Sequence, residues 1–246
     1  MTELDDPARI TEIHALLQRK TFLRRYYREI YRKYKECLER APARGAAVEL
    51  GSGGGFVKEV ITEMITSDIL PYDGVDRVID ATCMPFDNES VRAIFLTNVF
   101  HHIPDVELFL REACRCLVPG GRMLIVDQHP GWLSTPIYTM LHHEPFRMDA
   151  ADWKFDSTGP LSGANGALAW IVFRRDRARF QAIFQKLELV RYETHTPLRY
   201  WLSGGLKSWS LLPGWAFGLA TALDNLMVRL VPETGSFVDV ELVKRS

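Results

Sequence analysis

The sequence predicts an α/β domain built on a doubly wound, mostly parallel sheet of seven strands, with an N-terminal helical cap and insertions in the C-terminal half. Three observations carry that prediction. From Ala46 onward, short apolar runs alternate with stretches of helical period, the pattern of parallel strands joined by crossover helices. The first of these runs leads directly into a glycine cluster at 51–55. The chain has 246 residues, 47% hydrophobic and 25% charged, which supports a sizeable core and excludes disordered, collagenous and low-complexity classes.

Asp6 and Pro7 form a helix start, with a carboxylate at the N-cap and proline at the first helical position. Ile10, Ile13 and Leu17, then Leu23, Tyr27, Ile30, Tyr34 and Leu38, recur every three to four residues with a break at Lys20-Thr21. Two helices are therefore expected before Ala41-Pro42. Strands are expected at 47–50, 65–68, 75–79, 93–98 and 122–127. Helices are expected at 56–64 and 105–117, the second stopped by Pro119-Gly120-Gly121. Beyond Gln128 the period is lost, and residues 129–165 are rich in Pro, Gly, Ser and His. Residues 167–173 read as a strand or a buried turn of helix, 177–187 as helix, and 189–194 as strand. The apolar, Trp-rich stretch 197–230 reads as helical in pieces, and 237–243 as a final strand. One strand near the end is expected to run antiparallel. The parts are a helical lid at 1–45 and a main domain at 46–246, with variable segments at 129–167 and 197–232.

Formal net charge is −1, so overall charge names no partner. Residues 19–44, however, hold ten basic and three acidic side chains, which makes that segment +7 and the rest −8. A solvated helix face is its commonest meaning; a phosphate-bearing substrate or an anionic surface comes next. The N-terminus is acidic and lacks an apolar stretch, which argues against a signal peptide. No apolar run reaches the roughly 18 residues of a spanning helix. Cys37, Cys83, Cys114 and Cys116 make no C-x-x-C pair and read as reduced thiols of a cytoplasmic protein.

The segment that carries chemistry is Val48-Glu49-Leu50-Gly51-Ser52-Gly53-Gly54-Gly55-Phe56. Glycines there allow positive φ and let a ligand lie against the backbone. A helix following the loop would offer free N–H groups. The dinucleotide fingerprint G-x-G-x-x-G requires glycine where Phe56 stands, so a nicotinamide-dependent oxidoreductase is disfavoured. Glu49, Gly51, Gly53 and Gly55 instead complete E-x-G-x-G-x-G, suited to a nucleoside without pyrophosphate. Asp68, at the end of the second strand, is placed to accept ribose hydroxyls. Asp80-Ala81, at the end of the third, is placed to meet an adenine amino group. For each acid, a turn or capping role is the plainer alternative.

Taken together, VELGSGGGF, SDI at 67–69, DATCMPFDNES at 80–90, LTNVFHHIPD at 96–105 and LREACRCLVPGGRMLIVD at 110–127 resemble the class I S-adenosylmethionine-dependent methyltransferases, of the small-molecule type. The resemblance covers about residues 46–128 and implies a Rossmann-like domain that uses S-adenosyl-L-methionine. It implies that Glu49 helps hold the methionine amino group and that Gly51, Ser52, Gly53 and Gly55 follow the methionine and ribose. It further implies that Asp68 and Ile69 meet the ribose, Asp80 and Ala81 the adenine, and Asn98 and Val99 the region of the sulfonium. The stretch between Asp68 and Asp80 is short for the family, with the turn Pro71-Tyr72-Asp73-Gly74 in place of a helix.

Transfer from a sulfonium needs alignment with the nucleophile, and a base if the nucleophile carries a proton. His129, just beyond the fifth strand, is the first candidate base and His102 the second; Asp127, His101, His142 and His143 follow. No spacing of these histidines builds a three-ligand metal site, so no metal is expected. The loop Asn98-Val99-Phe100-His101 lacks the Pro-Pro-aromatic pattern of nucleobase amino-methyltransferases and the cysteine of cytosine-C5 enzymes, so nucleic acid is disfavoured. The expected acceptor is a small molecule, or one linked to lipid or carbohydrate, with weak peripheral membrane contact through the basic and Trp-rich segments. A non-catalytic cofactor-binding partner subunit is the alternative of another class.

Overall fold

The computed structural model describes residues 8–142, 144–157, 159 and 163–245. Asp6, Pro7 and His143 thus lie outside the described residues. The strands are β1 (Ala46–Leu50), β2 (Ile65–Asp68), β3 (Arg77–Val78), β4 (Val91–Thr97), β5 (Leu117–Gln128), β6 (Leu187–His195) and β7 (Phe237–Lys244). They form one sheet in the order β3-β2-β1-β4-β5-β7-β6. The first five run parallel, and β7 is antiparallel to both β5 and β6. The strand order reverses between β1 and β4, where open α/β sheets leave a crevice at their carboxyl ends. The helices are α1 (Ala8–Arg19), α2 (Thr21–Glu39), α3 (Val106–Cys116), α4 (Ser134–Met140), α5 (Leu168–Trp170), α6 (Arg177–Ile183), α7 (Arg199–Leu202) and α8 (Phe217–Leu230).

Alternation along the central strands divides the core in two. Ile94, Leu96, Met123 and Ile125 face a cluster built with α3, α5, α6 and the π-helical turn Ile171–Arg175. Ala93, Phe95, Leu124 and Val126 face α2, which buries Phe22, Leu23, Tyr26, Ile30, Tyr31, Tyr34, Cys37 and Leu38. The lid expected over residues 1–45 therefore divides. α2 is a structural layer of the sandwich, and α1 is the part that reaches toward the crevice. At the joint between them, the buried Lys20 ammonium donates to three carbonyls, those of Gly205 (2.7 Å), Lys207 (2.9 Å) and Trp209 (2.9 Å).

Much of the +7 charge of residues 19–44 is used inside the fold. Arg24 forks onto Glu59, Lys33 meets the buried Asp239 at 2.7 Å, and Arg40 meets Glu241 at 2.9 Å. Pairing with acids of the sheet and, for Arg24, with Glu59 of the turn after the glycine loop, rather than with an outside anion, accounts for those side chains.

Several elements depart from the sequence reading. The helix expected at 56–64 is a single 3-10 turn at Val57–Glu59. Phe56, Val57, Ile61 and Met64 are all buried in the α2 cluster, and α2 already covers that face of the sheet. The strand expected at 75–79 shrinks to two exposed residues at the sheet edge. Helix α3 passes straight into β5 at Leu117, and Pro119-Gly120-Gly121 lies within a strand whose register shifts against β4. Of the two readings open for residues 167–173, a strand or a buried turn of helix, the structure has the second. The helix expected at 177–187 ends at Ile183, because Leu187 already pairs with Lys244 of β7.

Candidate active site

A cavity of about 560 Å³ opens at the carboxyl ends of β1, β2 and β4. All eleven residues assigned to a cofactor from sequence line it: Glu49, Gly51, Ser52, Gly53, Gly55, Asp68, Ile69, Asp80, Ala81, Asn98 and Val99. His102 lines it as well. The glycine loop is pinned from below, where Ser52 N–H donates to the Ser67 carbonyl at 2.8 Å and Gly53 N–H to Asp68 Oδ2 at 3.0 Å. Leu70 N–H donates to the other Asp68 oxygen at 3.2 Å. The carboxylate is therefore fixed at the β2 tip, with lone pairs left for a ligand.

Two glycines of the loop have separate reasons. Gly53 has φ +49° with open space where a Cβ would point, so its backbone borders the ligand volume directly. At Gly54 a Cβ would stand 2.5 Å from the His14 backbone nitrogen, so only glycine lets α1 close onto the loop. His14 then donates from Nδ1 to the Gly54 carbonyl at 3.1 Å. The loop is followed by a 3-10 turn, so it presents no helix N-terminus; Phe56 N–H instead donates to the Tyr31 hydroxyl. This removes the helix-end anion site expected from sequence and, with Phe56, the basis for binding a pyrophosphate.

Two buried acceptors stand unsatisfied at the cavity, Glu49 Oε2 and Asn98 Oδ1. Burial pushes the Glu49 carboxyl up to about 8, against the opposing hydrogen bond from Ser52, and nearby Asp68 raises it further. Asn98 holds a left-handed backbone at φ +54° at the β4 tip. Asp80 Oδ1 accepts from Thr82 N–H and hydroxyl at 2.8 and 2.7 Å, so this acid also closes its own turn. The cavity wall includes side chains that periodicity presents only as core, Ile10, Ile13 and Leu17 of α1 and Tyr27 of α2, together with Tyr31, which the spacing passed over.

The folded-state pKa of Glu49 lies above its unfolded value, so its ionisation weakens the fold as pH rises from about 4.5 to about 8. Glu49→Gln lacks that ionisation. Its stability relative to wild type is expected to climb across this window by a few kcal/mol, order of magnitude, and to level off above it. Paired thermal melts at pH 5, 7 and 8.5 without ligand check this; a constant difference would mean that Glu49 titrates normally.

The two proposed bases separate. His129 does not reach the cavity: it is buried, its Nδ1 lies 2.9 Å from the Tyr192 hydroxyl, and its N–H donates to the Ser236 carbonyl. Position just past β5 is correct for a site residue, but the side chain turns toward β6. His102 borders the cavity, and burial together with the neighbouring His101 pulls its pKa down to about 4, so its ring is neutral. Nδ1 of His102 donates to the Gly163 carbonyl at 3.1 Å, which leaves Nε2 as the basic atom. Behind it, the buried His101 donates from Nδ1 to Asp127 Oδ1 at 2.6 Å. Glu144 arrives from the segment after α4, with Oε2 at 3.3 Å from His101 Nε2 and Oε1 at 3.5 Å from His102 Nε2.

Residues 48–125 match the family model described as Methyltransferase domain. Two solved structures resemble the whole chain. One belongs to a complex of the Haloferax volcanii Trm112 methyltransferase activator with a protein assigned as a methyltransferase; it is 16% identical, with 95% of this chain and 98% of that chain covered and a TM-score of 0.52. The other is geranyl diphosphate C-methyltransferase from Streptomyces coelicolor, solved with Mg2+, geranyl diphosphate and S-adenosyl-L-homocysteine. It is 18% identical, with 91% and 82% covered and a TM-score of 0.51. At these identities the two structures speak for the fold, while the family match covers the strands and loops that build the cavity.

Proposed function

Because this chain is a class I S-adenosylmethionine-dependent methyltransferase, we propose that it methylates a small acceptor carrying an apolar, lipid-linked portion and collects it at an anionic membrane surface. When bound, the cofactor supplies an activated methyl group on a sulfonium. The residues of the cavity suit it. The orphaned Glu49 carboxyl lies where an ammonium would satisfy it, Asp68 offers acceptors to vicinal hydroxyls, and the open space above Gly53 admits a ligand against the backbone. Tyr27 and Tyr31 wall the cavity from α2, and Ile10, Ile13 and Leu17 cover it from α1, which excludes water from the transfer. In this reading α1 is the lid. Nε2 of His102 is the acceptor-side group that takes or orients a proton.

One observation carries the choice of acceptor: an exposed apolar stripe that continues to the cavity. Trp215 is 80% exposed, and Leu219, Leu223, Leu226 and Leu230 follow it at helical spacing along the outside of α8. Trp209 and Leu211 extend the stripe, and Leu206, in the same turn as Trp209, lines the cavity. Lys207, Arg25 and Arg229 are exposed on the elements that carry the stripe or touch it, and Arg25 donates to the Gly214 carbonyl at 2.8 Å. An apolar face rimmed by cations is the surface of a protein that lies on an anionic interface. Among the described residues no helix is long and apolar enough to cross a membrane, so the contact proposed is peripheral.

Co-sedimentation tests this. Wild-type protein is expected to pellet with vesicles containing phosphatidylglycerol at low salt, less so at high salt, and poorly with phosphatidylcholine alone. The double substitution Trp215→Ser, Leu219→Ser is expected to lower vesicle binding at least tenfold while leaving S-adenosylmethionine affinity unchanged. Failure to bind either vesicle type removes the surface-docking reading and leaves the methyltransferase standing.

A further inference from the structure

Sequence spacing hides a constellation that the fold assembles beside the cofactor cavity. His101 and His102 come from the turn after β4, and Glu144 from a segment more than forty positions later. Their ligating atoms all lie within 4.8 Å of one another. The tautomers follow from partners that can only accept. The Gly163 carbonyl requires the His102 proton on Nδ1, and ionised Asp127 at 2.6 Å requires a proton on His101 Nδ1. His102 is neutral and its Nε2 is a lone pair, whereas His101, buried between Asp127 and Glu144, keeps a proton on Nε2 that a metal ion would replace. Both Nε2 atoms and the Glu144 carboxylate converge, at 3.3 and 3.5 Å, and the Gln128 amide, 3.4 Å from His101 Nε2 and from Glu144 Oε2, adds one neutral donor beside them. Asp127 is fully buried, so two carboxylates and two imidazoles share this region. Without an ion, the proton on His101 Nε2 bridges that ring to Glu144. A divalent cation in place of that proton would bind all three groups and balance the two negative charges.

We propose that His101 Nε2, His102 Nε2 and the Glu144 carboxylate form a site for one divalent transition-metal ion, with Asp127 as the positioning residue that orients His101. Two imidazoles and one carboxylate suit Zn2+, Mn2+, Fe2+ or Co2+ rather than Ca2+ or Mg2+, which prefer all-oxygen shells. Three protein ligands leave coordination positions open. A carboxylate accepting from the far nitrogen of a ligating histidine is the usual outer support of such a site. His102 also borders the cofactor cavity, so an open position there faces the acceptor side. With the ion bound, His102 Nε2 is a ligand and no longer takes a proton; in its place the ion would hold an oxygen of the acceptor near the methyl group and make it lose its proton more readily. That role rests on the methyltransferase reading, whereas the site itself does not.

The test reads metal directly. Full-length protein is stripped with EDTA and titrated with CoCl2, MnCl2 and ZnCl2, with stoichiometry from equilibrium dialysis and the visible absorption of bound Co2+ as the report of its ligands. One ion per chain is expected, with a Co2+ spectrum of mixed nitrogen and oxygen ligation and a raised melting temperature. Glu144→Gln and His102→Asn are each expected to weaken binding at least tenfold, and Asp127→Asn about 10–100-fold. His129→Gln, outside the cluster, is expected to bind like wild type. Circular dichroism of each variant separates lost ligation from lost fold, and the wild-type Co2+ spectrum stands without any variant. Absence of binding at millimolar metal, or binding unaltered in folded Glu144→Gln and His102→Asn, overturns the proposal and leaves a protonated His101 between two carboxylates. S-adenosylmethionine affinity measured on the stripped protein tells a failure of this site from a failure of the methyltransferase reading.

Discussion

Removal of residues 1–40 is expected to leave no cooperatively folded protein. That segment carries all of α2, whose eight buried side chains form one side of the second core. At about 1.5–3 kcal/mol for each large apolar side chain, the loss reaches or exceeds the roughly 5–15 kcal/mol by which a domain is stable. It also takes Lys33 from the buried Asp239 and Arg40 from Glu241, leaving the first to His195 and the second to Arg122 and Arg191. Removal of residues 1–19 alone is a different experiment. Helix α1 buries only Ile10 and Leu17, so the truncated protein is expected to fold. Its affinity for S-adenosylmethionine should nevertheless fall, because Ile10, Ile13 and Leu17 no longer cover the cavity. Calorimetric melting of both truncations, with cofactor titration of the shorter deletion, checks this. A cooperative transition in protein lacking residues 1–40 would return α2 to the status of a lid, as the sequence suggested.

Gly53→Val is expected to lower cofactor affinity more than a hundredfold in a protein that still folds. A side chain at position 53 meets no protein atom within 4 Å, so the fold accommodates it. Its branched carbons would instead stand in the space above the loop, and φ +49° costs a β-branched residue about 1–2 kcal/mol. Gly74→Val separates these two effects. Gly74 also has positive φ (+97°) with open space at the Cβ, but it lies outside the cavity lining. It should carry similar strain and bind cofactor normally. Isothermal titration of both variants decides the matter: equal binding by the two would mean that the backbone of Gly53 does not border the ligand.

The parallel half of the sheet was legible because its strands are buried on both faces. Ala93–Leu96 and Met123–Val126 show as continuous apolar runs, and strands of that kind announce themselves without help from neighbours. The cavity at the glycine loop was legible for a related reason. Its loop, acids and β4 tip lie close along the chain, so one local pattern contains them all. What was missed is what distant segments bring. Residues 56–64 carry a helix-like period, yet α2 occupies the face on which such a helix would pack, and the tertiary competitor prevails. Tyr27 reads as core from spacing and is half-buried, while Tyr31, outside that spacing, is core; that both wall the cavity depends on where α2 crosses the sheet. His129 was placed by its position after β5, which fixes the Cα but not the direction of the ring. The pairing of His101 and His102 with Glu144 joins the turn after β4 to a segment beyond Gln128, where the sequence shows no clear period.

The Lys20 clasp has a mechanical consequence. Its ammonium ties the start of α2 to three carbonyls of the turn that carries Leu206 and Trp209, while α1 lies directly ahead of it in the chain. Swinging α1 away from the glycine loop would bend the chain at this residue and pull on that turn, so uncovering the cavity and disturbing the Trp209 surface become one movement. In a protein seated on lipid through that turn, the membrane would resist the swing, and spent cofactor would leave more slowly from the attached enzyme than from the free one. The coupling is reciprocal in equilibrium terms: a filled cavity would hold the enzyme at the surface by the same factor by which the surface holds the cavity shut. Turnover would then proceed in visits, with detachment as the step that reloads the enzyme.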